Sequence, residues 1–208
     1  VFSYGLNMAA QEVYALIGDV VGSRELPDRA GAQRRIGAVL TEVTGQVEHV
    51  QPLEPTVGDE FQGAFASLAD ATLAALLVRL ALLPDVDVRC GIGYGEVTVH
   101  DPVSRPLLQD GPGWWVARDA LDALGSRERT RYAGADAGRV NAYLLTRDAL
   151  VDRLNERGWR MLRMALLGET QQRIAEVERV SKSAVSQQFA RGISAVRDAQ
   201  SMFASEEG

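Results

Sequence analysis

The sequence predicts an α/β (α+β) chain: a ferredoxin-like, palm-shaped sheet domain followed by an all-α unit. Three observations predict it. Short runs rich in Val, Ile and Leu alternate with amphipathic stretches in the order β-α-β-β-α-β, the split βαβ layout. The second and third strands meet at the corner Gly58-Asp59, flanked by Val57 and Phe61, which reads as a hairpin tip. From Trp159 onward the strand signals cease, and three short helices follow with a tight middle turn.

Val13–Val21 is an apolar run of buried-strand character, and Gly22-Ser23-Arg24 follows as a loop. Asp28 is placed to cap a helix over Arg29–Thr44, where Ile36, Val39, Leu40 and Val43 form one stripe. Val47–Val57 and Phe61–Phe65 are the hairpin arms. Ser67 caps a helix over Leu68–Leu83, apolar on most of its surface and therefore buried, and Pro84 stops it. Val86–Val99 is a strand carrying Gly91, Gly93 and Gly95, which signal close backbone approach or a bulge. Val103–Pro112 reads as loop, Trp114–Leu124 as helix and Ser126–Gly138 as polar and irregular. Val140–Leu154 reads as a helix leading away from the first domain. Arg160–Leu167, Thr170–Glu176 and Ser181–Arg197 are the helices of the second unit, with Ala204–Gly208 as a frayed tail. The expected division is 1–12 as a flexible start in which Met8 reads as the natural first residue, 13–139 as the sheet domain, 140–158 as a connecting helix and 159–203 as the helical unit.

The chain has 208 residues, 46% of them hydrophobic, and a formal net charge of −6. That length supports one medium domain or two small ones. A single cysteine, Cys90, excludes an internal disulfide, and with only two histidines a zinc site is a poor fit. Both facts suit a reducing, cytoplasmic setting. No apolar run approaches the roughly 18 residues of a membrane span, so no membrane partner is expected. The first seven residues lack the regions of a signal peptide. The acidic balance argues against a protein coated in nucleic acid but leaves room for one basic module.

Asp19 and Asp59 both stand at Gly-Asp corners. Brought together, they would form a site for a hard divalent cation, which takes oxygen ligands. Two carboxylates about 4 Å apart repel by about 4 kcal/mol at an effective dielectric of 20, and a cation or a proton must relieve that. Purely structural alternatives stand beside this reading. Asp19 also reads as a strand-end turn residue, Glu60 as a solvated hairpin residue, Trp114 and Trp115 as packing residues, and Cys90 as a small core residue.

Thr170–Glu176, Val177–Val180 and Ser181–Gln188 resemble a helix-turn-helix. Small Ala175 lets the helices cross closely, Ile174, Val180 and Val185 fill their interface, and Ser181 caps the second helix. Lys182, Ser183, Ser186, Gln187 and Gln188 then point outward, where Gln and Ser read base edges in the major groove. Arg173, Arg179 and Arg191 are placed to meet phosphates. The stretch Arg191-Gly192-Ile193-Ser194-Ala195-Val196-Arg197 is similar to the end of sigma-factor region 4, although Glu178 and Arg179 stand where that turn has an apolar residue and a glycine. The alternative is a small helical bundle used for dimerisation.

Asp19-Val20-Val21-Gly22-Ser23, Thr56-Val57-Gly58-Asp59 and Val88-Arg89-Cys90-Gly91-Ile92-Gly93 resemble, in order, three blocks of the class III nucleotidyl cyclases. The run Gly58-Asp59-Glu60-Phe61 also resembles the diguanylate cyclases, and the layout of the whole chain from Val13 to Arg197 resembles the SatD family. The resemblance implies a cyclase-like palm in which Asp19 and Asp59 hold two magnesium ions (Mg2+) on the triphosphate of a nucleotide ligand, because metals offset the charge of a transferring phosphoryl group. It implies that the amides of Val20, Val21, Gly22 and Ser23 cradle phosphate, with Arg24 also within reach of one. Asp110 falls where cyclases place a base-selecting residue, and Pro55 falls where they place the lysine. The transition-state Asn and Arg positions fall on Ala117 and Leu121, which donate no hydrogen bond, with Arg118 as a candidate substitute.

The functional expectation is a DNA-binding transcription regulator, a homodimer, whose degenerate cyclase-like domain binds a nucleotide and controls operator binding. The first alternative is an active nucleotidyl cyclase or nucleotide-processing enzyme with a DNA-binding appendage. The second is a ligand-free dimerisation scaffold.

Overall fold

The computed structural model describes residues 10–101, 103–104 and 107–205. Met8 and the end of the expected tail, 206–208, lie outside the described residues. The first half folds as β1 (Gln11–Val20), α1 (Arg29–Thr44), β2 (Gln51–Pro55), β3 (Glu60–Phe65), α2 (Leu68–Leu82) and β4 (Val88–Asp101). The sheet runs β2-β3-β1-β4, the strand order of the ferredoxin-like layout. Asp28 caps α1 by accepting from Gly31 N at 2.8 Å, and Ser67 caps α2 by accepting from Asp70 N at 3.0 Å. α2 ends just ahead of Pro84.

β1 alternates between two cores because successive residues of a strand face opposite sides. Leu16 and Val20 pack with α1 and α2, while Val13, Ala15 and Ile17 pack under α3 (Pro112–Asp122). α3 lies directly on the backbone of β4. A Cβ on Gly91 would meet Ala117 O at 2.2 Å, and one on Gly93 would meet Ala117 N at 2.3 Å. The β4 glycines therefore serve close approach rather than phosphate binding. Cys90 is a core residue of that strand, and burial pushes its thiol up and keeps it protonated.

Three stretches depart from the sequence expectation. Val103–Pro112 contains β5 (Leu108–Asp110), which adds antiparallel to β4. Ser126–Gly138 contains β6 (Thr130–Ala133), which pairs parallel with β4. Four residues with an arginine at the second position are too few for a period-2 signal. α4 (Ala137–Val151) does not lead away. Asn141 accepts from Tyr132 N and donates to Tyr132 O, both at 2.8 Å, so it satisfies the outer edge of β6. Val140 and Leu144 enter the core shared with α1 and α2.

α5 (Glu156–Leu166), α6 (Gln171–Glu178), α7 (Lys182–Gln188) and α8 (Ser194–Ser205) follow. The expected single helix over Ser181–Arg197 is broken. A π-type segment at Phe189–Ile193 contains Gly192 at φ 145°, a conformation that α-helix cannot propagate. Leu76 and Leu80 of α2 pack with Met161, Leu162, Ile174, Val185 and Val196 of these helices. α2 is thus buried by the sheet on one side and by the helical unit on the other.

Ion pairs fasten this junction. Asp87 accepts from Arg79 Nε and Arg129 Nε, both at 2.8 Å, and Arg79 also donates to Asp152 at 2.6 Å. Burial opposes ionisation of Asp87, but the hydrogen bonds and charges of Arg79 and Arg129 outweigh it and hold the carboxyl below its ordinary range. Nearby, the fully buried pair Arg147–Asp148 is saturated. Asp148 accepts from the amides of Arg129 and Thr130 at 2.8 and 2.9 Å, and Arg147 donates to Thr130 Oγ1 at 2.6 Å. Gln200 of α8 donates to Ala69 O at 3.0 Å and accepts from Tyr143 at 2.8 Å, tying the last helix to α2 and α4.

Asp87→Asn is expected to destabilise the fold by about 2 kcal/mol, between the values for exposed and fully buried pairs. The contribution of a depressed carboxylate is complete above its unfolded value, near about pH 4, and is lost as pH falls through the lower folded value. Urea unfolding of both proteins from neutral pH down to about pH 3 checks this: the gap between wild type and variant should narrow on acidification. Gly93→Ala should cost about 2–3 kcal/mol, because α3 must lift from β4 to admit the methyl group; thermal unfolding measures it.

Candidate functional site

Asp19, at the end of β1, pairs in register with Glu60 on β3 and with Arg89 on β4. Cross-strand partners share a face, so these three side chains lie on the α3 side of the sheet, in line with Ile17. The Asp19 carboxylate accepts two hydrogen bonds from Arg89, from Nε at 2.7 Å and from Nη2 at 2.8 Å. The Glu60 carboxylate accepts two from Arg118 of α3, at 2.8 and 2.7 Å. Hydrogen bonding to Asp19 pushes the Arg89 guanidinium above its ordinary range, and Glu60 does the same for Arg118. Asp122, one helical turn beyond Arg118, adds its charge to both arginines. The corner is therefore a mosaic of three carboxylates and two guanidiniums.

Asp59 lies one residue outside this pattern. It is half-buried in the turn after Gly58, which has φ 81° and whose carbonyl accepts from Gln33 of α1 at 3.1 Å. The residue that faces Asp19 is Glu60. Among the described residues, no three His, Cys, Asp or Glu side chains are placed to hold a metal ion. Both oxygens of Asp19 are engaged by Arg89. A magnesium ion on Asp19 and Asp59 does not fit this arrangement.

Beside the mosaic lies a cleft of about 480 Å³ between α3, the hairpin and the segment before α3, lined among others by Ile17, Gln62, Gln109, Trp114, Trp115 and Arg118. Trp114 is 7% exposed, and among the described residues neither its buried Nε1 nor the buried Oε1 of Gln109 has a hydrogen-bond partner. A donor and an acceptor are thus unsatisfied just behind the wall of one cleft, a costly arrangement unless water or a shift of the wall completes it. Trp115 is 58% exposed and is oriented by Asp110, which accepts from its Nε1 and from Gly111 N, each at 2.7 Å.

The remaining candidates are dispersed. Val20 is a core residue in register with Val88, and Val21 N donates to Asp87 O at 2.9 Å, so the Val21 amide is not available to a phosphate. Gly22 adopts φ 65° ahead of a short 3-10 turn at Ser23–Glu25, and Arg24 is exposed there. Ala117 and Leu121 are buried against the sheet. From α3, Trp114, Trp115, Arg118 and Asp119 line the cleft, while Asp122 acts by its charge on the Arg89 and Arg118 guanidiniums. Arg89, Glu60, Asp122, Trp114 and Gln109 were not assigned to the site from sequence. The available signal was Arg89 itself, a charge inside the apolar run of a central strand.

In the helical unit, α6 is capped by Thr170, which accepts from Arg173 N at 3.2 Å. It ends at Arg179 in the left-handed region, φ 54°. Ser181 then caps α7 by accepting from Ala184 N at 3.2 Å. Ile174, Ala175 and Val185 are buried between the helices, and Val180 packs against them. Lys182, Ser183, Ser186 and Gln187 are exposed on one side of α7, with Arg173, Arg179 and Arg191 exposed around it, while Gln188 is half-buried. Lys182 donates to Gln172 at 3.0 Å, and Ser183 pairs with Ser181 at 2.9 Å.

Among the described residues, no helix is long and apolar enough to cross a membrane. Among solved structures, the fold is similar to a bacterial light-regulated adenylyl cyclase, with TM-score 0.48, 13% identity, and coverage of 67% of this chain and 48% of that one. It is also similar to the guanylyl cyclase Cya2, with TM-score 0.44, 15% identity, and coverage of 62% and 77%. A class III adenylyl cyclase-like ATP-binding protein from Pseudomonas aeruginosa matches with TM-score 0.43, 16% identity, and coverage of 65% and 35%. The chain spans about half the length of the light-regulated cyclases it matches. No curated protein matches the chain. The model of the SatD family matches residues 13–149, from β1 into α4, which is more than half of the sequence, and the chain belongs to the SatD family.

Proposed function

We propose that this protein is a DNA-binding transcription regulator, in which α6 and α7 act as a helix-turn-helix and the sheet domain senses a nucleotide in the cleft beside α3. The observation that carries the reading is the division of α7 into two faces. Val185 is fully buried against Ile174, while Lys182, Ser183, Ser186 and Gln187 are presented together to solvent on a capped helix after a tight turn. That is the arrangement a helix needs to enter a major groove, with its inner side chains packed and its outer amides and hydroxyls turned to solvent, where base edges would meet them. Arg173, Arg179 and Arg191, exposed around it, are the cations that would meet phosphates.

The cleft supports the sensing half. It has the size of a small-molecule site, an exposed indole for stacking at Trp115, a buried unsatisfied donor and acceptor just behind its wall, and the Arg118 guanidinium in its lining. Catalysis is not part of the proposal. The charged α3 residues that line the cleft are Arg118, already tied to Glu60, and the acidic Asp119.

Selection of bound duplexes from a random pool, followed by gel shift, tests the DNA half. Gln187→Ala should lower affinity for the selected site about tenfold and relax base preference at one position. Arg179→Ala and Arg191→Ala should weaken binding to all duplexes and reduce the salt slope by about one each. Retention of no duplex at low salt overturns the DNA half. Tryptophan fluorescence titrated with a panel of nucleotides tests the sensor, where Arg118→Ala should weaken binding about tenfold. A flat titration with every nucleotide removes it.

A further inference from the structure

The Asp19 corner has the position of a metal site and the contents of something else. Asp19 faces Glu60 and Arg89 across the sheet, and each carboxylate has both oxygens committed to one guanidinium. An arginine remains protonated at any pH the fold survives, so acidity or alkalinity does not clear it. A divalent cation approaching Asp19 would have to expel Arg89 while being repelled by Arg118.

We infer that Arg89 and Arg118 are the resident cations of this site, and that the cleft binds a nucleotide carrying a single phosphate without any divalent metal. The inference rests on the sensing half of the proposed function and narrows its ligand. Arg118 both lines the cleft and holds Glu60. Its planar fork exchanges a carboxylate for a phosphate with the same two-pronged geometry, and the side chain of Glu60, 31% exposed, is released to water. One phosphate suffices for one fork. A triphosphate brings more negative charge than two guanidiniums already shared among Asp19, Glu60 and Asp122 can offset. The nucleobase then lies in the cleft beside the exposed indole of Trp115, and a small shift of the wall brings up Trp114 Nε1 and Gln109 Oε1, a buried donor and acceptor without a partner among the described residues.

Two measurements on the full chain read the two parts separately. Electron paramagnetic resonance of added manganese(II), with no nucleotide present, should show no stoichiometric binding to wild type. Arg89→Gln, which removes the internal cation, should gain it, and Arg89→Lys, which keeps the charge, should not. Bound manganese in wild type, or no gain in a folded Arg89→Gln, overturns the resident-cation claim. Fluorescence titration with nucleoside monophosphates, cyclic mononucleotides and triphosphates, in EDTA and in magnesium, reads the ligand. Equal affinity for a single-phosphate nucleotide in both buffers is the expected result, with about tenfold loss in Arg118→Gln. Binding that vanishes in EDTA, or preference for a magnesium triphosphate, overturns the inference while leaving nucleotide sensing intact. No response to any nucleotide in either buffer defeats the sensing half itself, whatever the manganese result.

Discussion

α2 carries the architecture because it has no solvent side to spare. Leu77 and Val78 belong to the core under the sheet, and Leu76 and Leu80 to the core under α5–α8. A helix buried on two sides cannot relax toward one partner without disturbing the other, since interiors are packed to the density of organic crystals. The polar contacts around it follow the same logic. Arg79 joins Asp87, ahead of β4, to Asp152, at the end of α4, and Thr72 receives both Arg147 and Gln200. The helical unit is therefore mounted on the sheet domain through a shared, rigid element rather than hung from a free linker.

The functional corner is built on the opposite face of the same sheet. α3 descends onto β4 because Gly91 and Gly93 leave nothing in its way, and this descent brings Arg118 within reach of Glu60. Val21, at the exit of β1, hydrogen-bonds the carbonyl of Asp87, whose side chain is the hub for Arg79 and Arg129. The strand that ends in Asp19 is thereby connected, through one backbone bond and one carboxylate, to the ion pairs around α2. A change in the partners of Asp19 has a physical route to the helical unit.

Much of this was legible in the chain because it is local. Asp28, Ser67 and Ser181 announce helix starts by chemistry confined to one turn, and each makes the cap its sequence position implies. β6 was not legible, since Thr130–Ala133 gains its identity from pairing with β4 and from Asn141 rather than from its own pattern. The site turns on register. Asp59 and Glu60 are adjacent in sequence, and only the pairing of β1 with β3 decides which of them faces Asp19. The same one-residue ambiguity put Ala117 and Leu121 where the fold puts Arg118 and Asp122, because one step along a helix turns a side chain by about a quarter of the circumference. Gly192 was visible as a residue, but its φ of 145° and the break it makes between α7 and α8 depend on tertiary packing.

The account stands on communication between the cleft beside α3 and the exposed face of α7. The most direct test measures the affinity of the wild-type chain for its selected duplex with and without a saturating single-phosphate nucleotide in EDTA. A shift of about five-fold or more in either direction, the range of ordinary coupling between sites, is the predicted result. The same affinity in both conditions, with the nucleotide demonstrably bound, would contradict it.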